Sequence, residues 1–308
     1  MISSEFLDSF LKAAVLMASP LILASIGGVI AELSGVMPVP LEGLMLSGAF
    51  MGVVGSNLSG SPWIGALFAM LTGAVLSLIF AYLTVTRGAN HMVIGLSMNL
   101  LCLGLTNWLA PILIGGTMQR VNLYPVIAPE SWQSIPIIGP LLISQPVIVW
   151  IALILPFISY WIIRNTTWGL NVRSVGENPE AAESAGLPVH KIRYLSVILL
   201  GIFGGLAGSA LSLAELGLFV TNMTAGRGFI VMASHVVGRW NPLTVALAAL
   251  LFGSADALAI RIQIFDIGIP YQAIVVIPYV ITIIALAGFV GRTHTPKALG
   301  KYYKSSSS

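Results

Sequence analysis

A chain of 308 residues that is 57% hydrophobic and 8% charged, with a mean hydropathy of +0.95, has too few polar side chains to cover a water-facing surface. Soluble domains carry about 25% charged residues, so two soluble domains, which this length would otherwise suggest, are excluded in favour of one bundle of membrane helices. The net charge of +3 and pI near 9.1 fit the cations that membrane proteins gather on their cytoplasmic side, and call for no nucleic-acid partner.

From the N-terminus, apolar segments are predicted at about 10–31, 42–56, 62–85, 92–115, 143–163, 194–215, 228–239, 243–260 and 270–290. A span needs roughly 20 apolar residues to cross a hydrocarbon layer about 30 Å thick. Long continuous runs, rather than short alternating ones, indicate helices and not a β-barrel. The predicted class is all-α, a polytopic membrane helical bundle of about 8–10 transmembrane or half-membrane helices, with 1–308 as one transmembrane domain. Glu5 and Asp8 precede the first segment with only Lys12 basic, which is not the cationic start of a signal peptide.

Segments 42–56 and 228–239 are too short to span as straight helices, and their Gly and Pro flanks predict broken or re-entrant helices. Gly35-Val36-Met37-Pro38-Val39-Pro40 cannot be uninterrupted helix, because proline has no amide donor. Cys102, the only cysteine, sits inside an apolar run and is assigned to packing. In 201–208, Gly201 and Gly205, and Gly204 and Gly208, stand four apart, a stripe that lets helix backbones approach closely in lipid.

Counting cations sets the orientation. With the C-terminal tail, 291–308, in the cytoplasm, that side holds Arg87, Arg164, Arg173, Lys191, Arg193, Arg239, Arg292, Lys297, Lys301 and Lys304. The outer side holds only Arg120, Arg227 and Arg261, and the positive-inside rule favours this arrangement over its reverse. The odd number of segments then puts the N-terminus outside.

The polar stretch 164–193 is far longer than the 2–8 residues that usually join two helices of a bundle. Its middle predicts a short helix: Asn178 as cap, Pro179 at the first position, and Glu180 and Glu183 in the first turn. Gly186 and Pro188 mark the end. Ala181, Ala182 and Ala185 would make a low-relief surface for a groove in a partner; a solvated loop helix is the alternative.

Polar residues inside apolar segments are the candidates for a solute path, because burying them unpaired in lipid is costly. Asn99 and Asn107 lie on one segment about 80° apart around the helix, with Asn90 and His91 at its start. Asn222, Thr224 and Arg227 lie at a helix break, and His235 follows in the short segment. Amides, hydroxyls and imidazoles suit a neutral polar solute. Each Asn can equally serve an interhelical hydrogen bond, and Arg227 can anchor a turn or a docking face. Trp63, Trp108 and Trp240 stand near segment ends as interface anchors; stacking of a base on Trp108 or Phe229 is the alternative. Among the acids, Glu32 and Glu42 bracket the proline-broken stretch as caps for its half-helices, and Asp256 is placed to pair with Arg261.

Three sets of residues resemble a known family. Glu180-Ala181-Ala182-Glu183-Ser184-Ala185-Gly186 resembles the Glu-Ala-Ala-x-x-x-Gly signature of ABC importer permeases, without the Ile and Leu-Pro of the longer signature. Gly28-Val29-Ile30-Ala31-Glu32-Leu33-Ser34-Gly35 and Leu41-Glu42-Gly43-Leu44-Met45 resemble the start of the permeases that serve sugars, nucleosides and branched-chain amino acids. The segments Asn222 to Ile230, Gly238 to Pro242 and Gly253 to Leu258 resemble the simple-sugar and nucleoside branch, closest to its guanosine-type uptake permeases and the shorter of their two subunits. The likeness covers about 25–290, in motif order.

This resemblance implies a fold like that of type II ABC importer permeases, in a bacterial plasma membrane. It implies a homologous second permease, a cytoplasmic ATPase subunit with two nucleotide-binding modules, and an extracytoplasmic substrate-binding lipoprotein. The ATPase would press on a coupling loop at 164–193 through Gly176, Glu177, Asn178, Pro179, Glu180, Ala181, Ala182, Ala185 and Gly186. ATP and Mg would be bound by that partner, since this chain has no Gly-x-x-x-x-Gly-Lys-Ser/Thr loop and is expected to hold no cofactor or metal. Two rivals are weighed against it. An ion-coupled secondary transporter would use an intramembrane carboxylate such as Asp256 or Glu215. A membrane enzyme would need a nucleophile–base or metal constellation, which the dispersed His91, His190, His235 and His294 do not make.

Overall fold

The computed structural model describes residues 4–115, 121–126, 145–264, 271–289 and 295–304. Arg120, Arg292 and His294, which entered the sequence argument, lie outside them. The elements are α1 (Ser4–Leu33), α2 (Leu41–Ser59), α3 (Pro62–Ala81), α4 (His91–Leu113), α5 (Val147–Asn165), α6 (Thr167–Glu177), α7 (Pro179–Ser184), α8 (Val189–Ala210), α9 (Arg227–Val237), α10 (Pro242–Ile264) and α11 (Tyr271–Phe289). Turns of π-helix extend α3 over Tyr82–Thr86 and α8 over Leu211–Leu216. Among the described residues the only β pairing is one isolated bridge between Val126 and Pro146. Among the described residues seven helices are long and apolar enough to cross a membrane, and α9 and the apolar part of α11 are shorter.

The sequence placed 42–56 below spanning length. The structure corrects this, because α2 runs for 19 residues. It nevertheless starts inside the bundle. The extended leg after α1 buries Val36 and Val39 and runs beside the first turns of α4: Met37 N–H donates to His91 Nδ1 at 3.2 Å, and Asn99 Nδ2 donates to the Val39 carbonyl at 2.9 Å. The eight residues from His91 to Asn99 correspond to about 12 Å of helix, and α2 begins that far along α4.

α1, α2 and α8 form the centre, with α3 and α10 packed directly against them. The glycine stripe of α8 works on two sides. A methyl group at Gly201 would sit 2.2 Å from the Gly73 carbonyl of α3, and one at Gly208 would sit 2.0 Å from the Met45 carbonyl of α2. Close approach of three backbones is what these positions allow. α4 and α5 instead leave rows of large apolar side chains exposed, Leu100 and Trp108 on one and Phe157 and Trp161 on the other.

Loop contacts sort the helix ends into two faces. On one, Ala298 N–H donates to the Gly176 carbonyl at 2.9 Å and Gly300 N–H to the Gly35 carbonyl at 3.0 Å. The 295–304 segment therefore meets the ends of α1 and α6, and Tyr302 covers Gly88 after α3. On the other face, Asn122 Nδ2 donates to the Gly60 carbonyl at 2.7 Å, and Gln145 Nε2 reaches the Lys12 carbonyl of α1 at 2.9 Å. The ends that carry Arg87, Arg173, Lys297 and Lys301 thus share one face, opposite the start of α1.

Candidate functional site

Two regions gather the polar residues. The first lies within the bundle, where α2 and α9 both begin. A turn precedes α9, and three of its residues have positive φ: Asn222 at 57°, Ala225 at 45° and Gly226 at 85°. Left-handed backbone is strained for residues other than glycine, so the turn needs outside support. Glu42, in the first turn of α2, accepts Gly226 N–H at 2.8 Å and Gly228 N–H at 2.7 Å. One carboxylate thereby meets the positive ends of two helices, a charge-assisted cap for the orphan donors of α9. Tyr279 Oη of α11 donates to the Ala225 carbonyl at 2.7 Å.

Arg227 opens α9 and lies between two carboxylates, Glu215 Oε1 at 3.5 Å and Asp256 Oδ2 at 3.3 Å, and also donates to the Met223 carbonyl at 3.3 Å. Charges this deep in a membrane protein persist when they are paired. Two expectations are corrected here. Asp256 pairs with Arg227 and not with Arg261, because α10 presents it to the start of α9 across the bundle. Glu42 does not cap its own half-helix; it caps α9.

Glu32 is corrected in the same way. Near the end of α1, its carboxylate accepts the Trp240 indole N–H and bonds His235 Nδ1 at 2.8 Å, joining α1 to both ends of the α9–α10 turn. Trp240, predicted as an interface anchor, is instead buried. Gly28 makes room for the imidazole: a methyl group there would lie 2.2 Å from His235 Cε1.

The other predicted path residues divide. Asn99 spends its amide on α2, accepting Gly43 N–H at 2.8 Å besides donating to Val39. Asn90 caps α4 through Met92 N–H at 2.9 Å and Val93 N–H at 3.3 Å. Asn107 and Asn222 are exposed. Thr224 is fully buried, and its hydroxyl has no hydrogen-bond partner among the described residues.

The second region is the 164–193 stretch. It folds as two helices, α6 and α7, rather than as a loop with one short helix, because Thr166 and Asn178 each cap a separate start. Asn178 Oδ1 accepts Ala181 N–H at 3.0 Å, as its position predicted. Ala182 is corrected: it points into an apolar cluster with Val172, Val175, Val189, Ile192 and Tyr303, leaving Ala181 and Ala185 on the surface. Gly176 is also buried, its α carbon pressed against the Leu33 carbonyl of α1.

The 295–304 segment closes over this pair of helices, which the sequence did not reveal. Lys297 Nζ lies 2.7 Å from Glu177 Oε1, and Tyr303 Oη donates to Glu183. Arg193, buried at the start of α8, donates to the Ser34 carbonyl and the Lys301 carbonyl, both at 3.2 Å, and so ties α1, α8 and the tail together. Burial, reinforced by the bond to Glu183, pushes the Tyr303 phenol up to about 12. The available signal was the aromatic pair Tyr302-Tyr303 between Lys301 and Lys304, an uncommon composition for a free tail.

This helical bundle with a capped intramembrane break is accompanied by a likeness over nearly its whole length. Residues 10–286 match the family described as "Branched-chain amino acid transport system / permease component". The chain belongs to that permease family. It is 38% identical to the guanosine ABC transporter permease protein NupQ of Bacillus subtilis, over 97% of each chain. It is 37% identical to the nucleoside ABC transporter permease protein NupC of Lactococcus lactis, over 93% of each, and 33% identical to a putative glucose ABC transporter permease of Haloferax volcanii, over 87% of this chain and 82% of that one. Bacillus subtilis and Lactococcus lactis each also contain a second, more distant permease relative, 26% identical to this chain. No solved structure matches. The permease is thus a multi-pass membrane subunit of an ABC importer for a nucleoside or sugar.

Proposed function

We propose that this permease carries a neutral nucleoside, and that it works beside a non-identical second permease. The observation that carries this reading is the end-to-end likeness to a guanosine permease, from an organism that holds a second permease of the same kind. A cytoplasmic ATPase with two nucleotide-binding modules binds and hydrolyses ATP, and docks on the exposed side of α7 at Pro179, Glu180, Ala181 and Ala185. A substrate-binding lipoprotein delivers the solute to the opposite face. The face formed by α6, α7 and 295–304 then lies in the cytoplasm of a bacterial plasma membrane, in keeping with its cations.

Within the membrane, Asn90, Asn99 and His235 act as scaffold, since each is committed to a cap or an interhelical bond. The solute meets the turn before α9 instead, where Asn222 is exposed. Arg227 holds that turn in place through Glu215 and Asp256. Both carboxylates are paired with Arg227, although Glu215 Oε2 has no hydrogen-bond partner among the described residues, and the pairing favours a structural role over an ion site.

The test is ATP hydrolysis by the assembled complex with its binding protein, measured against a panel of solutes. A nucleoside is expected to stimulate hydrolysis and a free amino acid is not. Stimulation by an amino acid and none by a nucleoside would contradict the assignment.

A further inference from the structure

On the face that carries α6 and α7, Arg164 at the end of α5, Arg173 in α6 and Arg239 in the α9–α10 turn line one cavity of about 250 Å³. Among the described residues none of the three has a carboxylate partner. Arg173 Nε reaches only the Gly169 carbonyl at 3.4 Å, and Arg164 lies over the Tyr160 ring at 5.6 Å. Glu32, behind Trp240 on the cavity wall, is already taken by that indole and by His235. The start of α10 also borders the cavity through Asn241 and Pro242, but it brings no free amide there, since proline has none and Asn241 Oδ1 accepts Leu243 N–H at 3.1 Å. Three arginines line a space with no counter-charge among the described residues, which is the chemistry of a phosphate site.

Two apolar grooves lie along α10, and one of them shares Arg239 with this cavity. One, of about 390 Å³, lies between α5 and α10 and is walled by Leu153, Pro156, Phe157, Leu243, Ala246 and Leu247. The other, of about 490 Å³, begins at Arg239 and follows the opposite flank of α10 past Thr244 and Leu247 to Leu251. Leu247 borders both, and it and Phe157 are about two-thirds exposed. A free phosphate or nucleotide would leave these grooves unused.

We propose that Arg164, Arg173 and Arg239 hold the phosphate of an anionic phospholipid whose acyl chains lie in the grooves on either side of Leu247. The headgroup lacks an amine, since a fourth cation would be repelled; phosphatidylglycerol and cardiolipin have the required chemistry. Basic pockets at helix ends on a cytoplasmic face are suited to such headgroups. Because Arg173 belongs to α6, the bound lipid braces the helix that leads into α7.

The test uses the assembled complex of both permeases and the ATPase, stripped of lipid in detergent. Native mass spectrometry then follows binding of dioleoyl-phosphatidylglycerol, dioleoyl-phosphatidylcholine and inorganic phosphate in parallel. Phosphatidylglycerol is expected to be retained and phosphatidylcholine not. The R164Q/R239Q double variant should weaken phosphatidylglycerol binding by about 25-fold, about fivefold for each arginine. The R164K/R239K variant should retain most of it. Filling both grooves with Leu247→Trp should reduce lipid binding and leave phosphate binding unchanged. Equal retention of the two lipids would overturn the proposal, as would phosphate binding that matches phosphatidylglycerol and ignores Leu247→Trp. Unchanged lipid binding by R164Q/R239Q would overturn it as well.

Discussion

The intramembrane junction and the α6–α7 platform are both built around the start of short helices, but different forces hold them. At the junction, Glu42 caps α9, and Arg227 is set between Glu215 and Asp256, so charge carries the structure where water is scarce. At the platform, an apolar cluster around Ala182 and Val175 carries it, with side-chain caps at Thr166 and Asn178 and a tail strapped across. Ions that lose a partner in a dry setting have nowhere to turn, whereas a solvated helix that loses a hydrogen bond replaces it with water. The junction is therefore the brittle region and the platform the tolerant one. Under the proposed function, that suits a platform on which the ATPase would press and a junction that would keep its shape as solute passes.

The sharpest way to break this contrast is Arg227→Met, which leaves two carboxylates facing one another without a cation. The expected loss is about 3–5 kcal/mol, seen as a lower melting temperature of the purified complex. Adding Glu215→Gln and Asp256→Asn should recover most of it. If the single variant melts like wild type, the ion pairs are not what holds the junction. Glu42→Gln ranks next, at about 1–3 kcal/mol, since it weakens both amide contacts at the start of α9 without changing the side-chain shape.

At the platform, two neighbouring alanines separate packing from docking. Ala182→Trp should cost about 1–3 kcal/mol through overpacking of the cluster. Ala181→Trp should leave thermal stability and membrane insertion unchanged while abolishing solute-stimulated ATP hydrolysis. Equal effects of the two on stability would show that α7 does not sit as described.

Tyr303→Phe is the mildest test. It removes one hydrogen bond to Glu183, worth at most about 1.5 kcal/mol, and should reduce the coupling ratio of uptake to hydrolysis more than stability. The sign of the pH effect follows from the raised phenol. Its neutral form is favoured in the fold, so this contribution is intact below the ordinary value of 10 and is lost as pH rises through about 12. Stability of wild type relative to Tyr303→Phe should therefore stay constant from pH 7 to pH 9.

The helices were legible because membrane thickness imposes a length on apolar runs. The capped start at Asn178 was legible because a cap and its helix are adjacent in sequence. The junction was not, since Glu42 and Gly226 are 184 residues apart and Glu32 and Trp240 are 208 apart. No periodicity links residues at such distances. Asp256 was assigned to Arg261 because a local partner was the only one that helical spacing could offer. The inward turn of Ala182 is not legible because two alanines in α7 and a third at its C-cap do not reveal which of them faces α6. The strap at 295–304 is not legible from the sequence because its partners, the carbonyls of Gly35 and Gly176 and the carboxylates of Glu177 and Glu183, are more than a hundred residues away; only the Tyr302-Tyr303 pair hints at it.

The central claim is that transport is driven by an ATPase acting on the face that bears α7. Uptake of labelled nucleoside into proteoliposomes containing the full complex tests it most directly, comparing ATP alone with a proton or sodium gradient alone. Uptake that requires ATP and is lost in Ala181→Trp is the expected result. Uptake driven by an ion gradient without any ATPase subunit would contradict it.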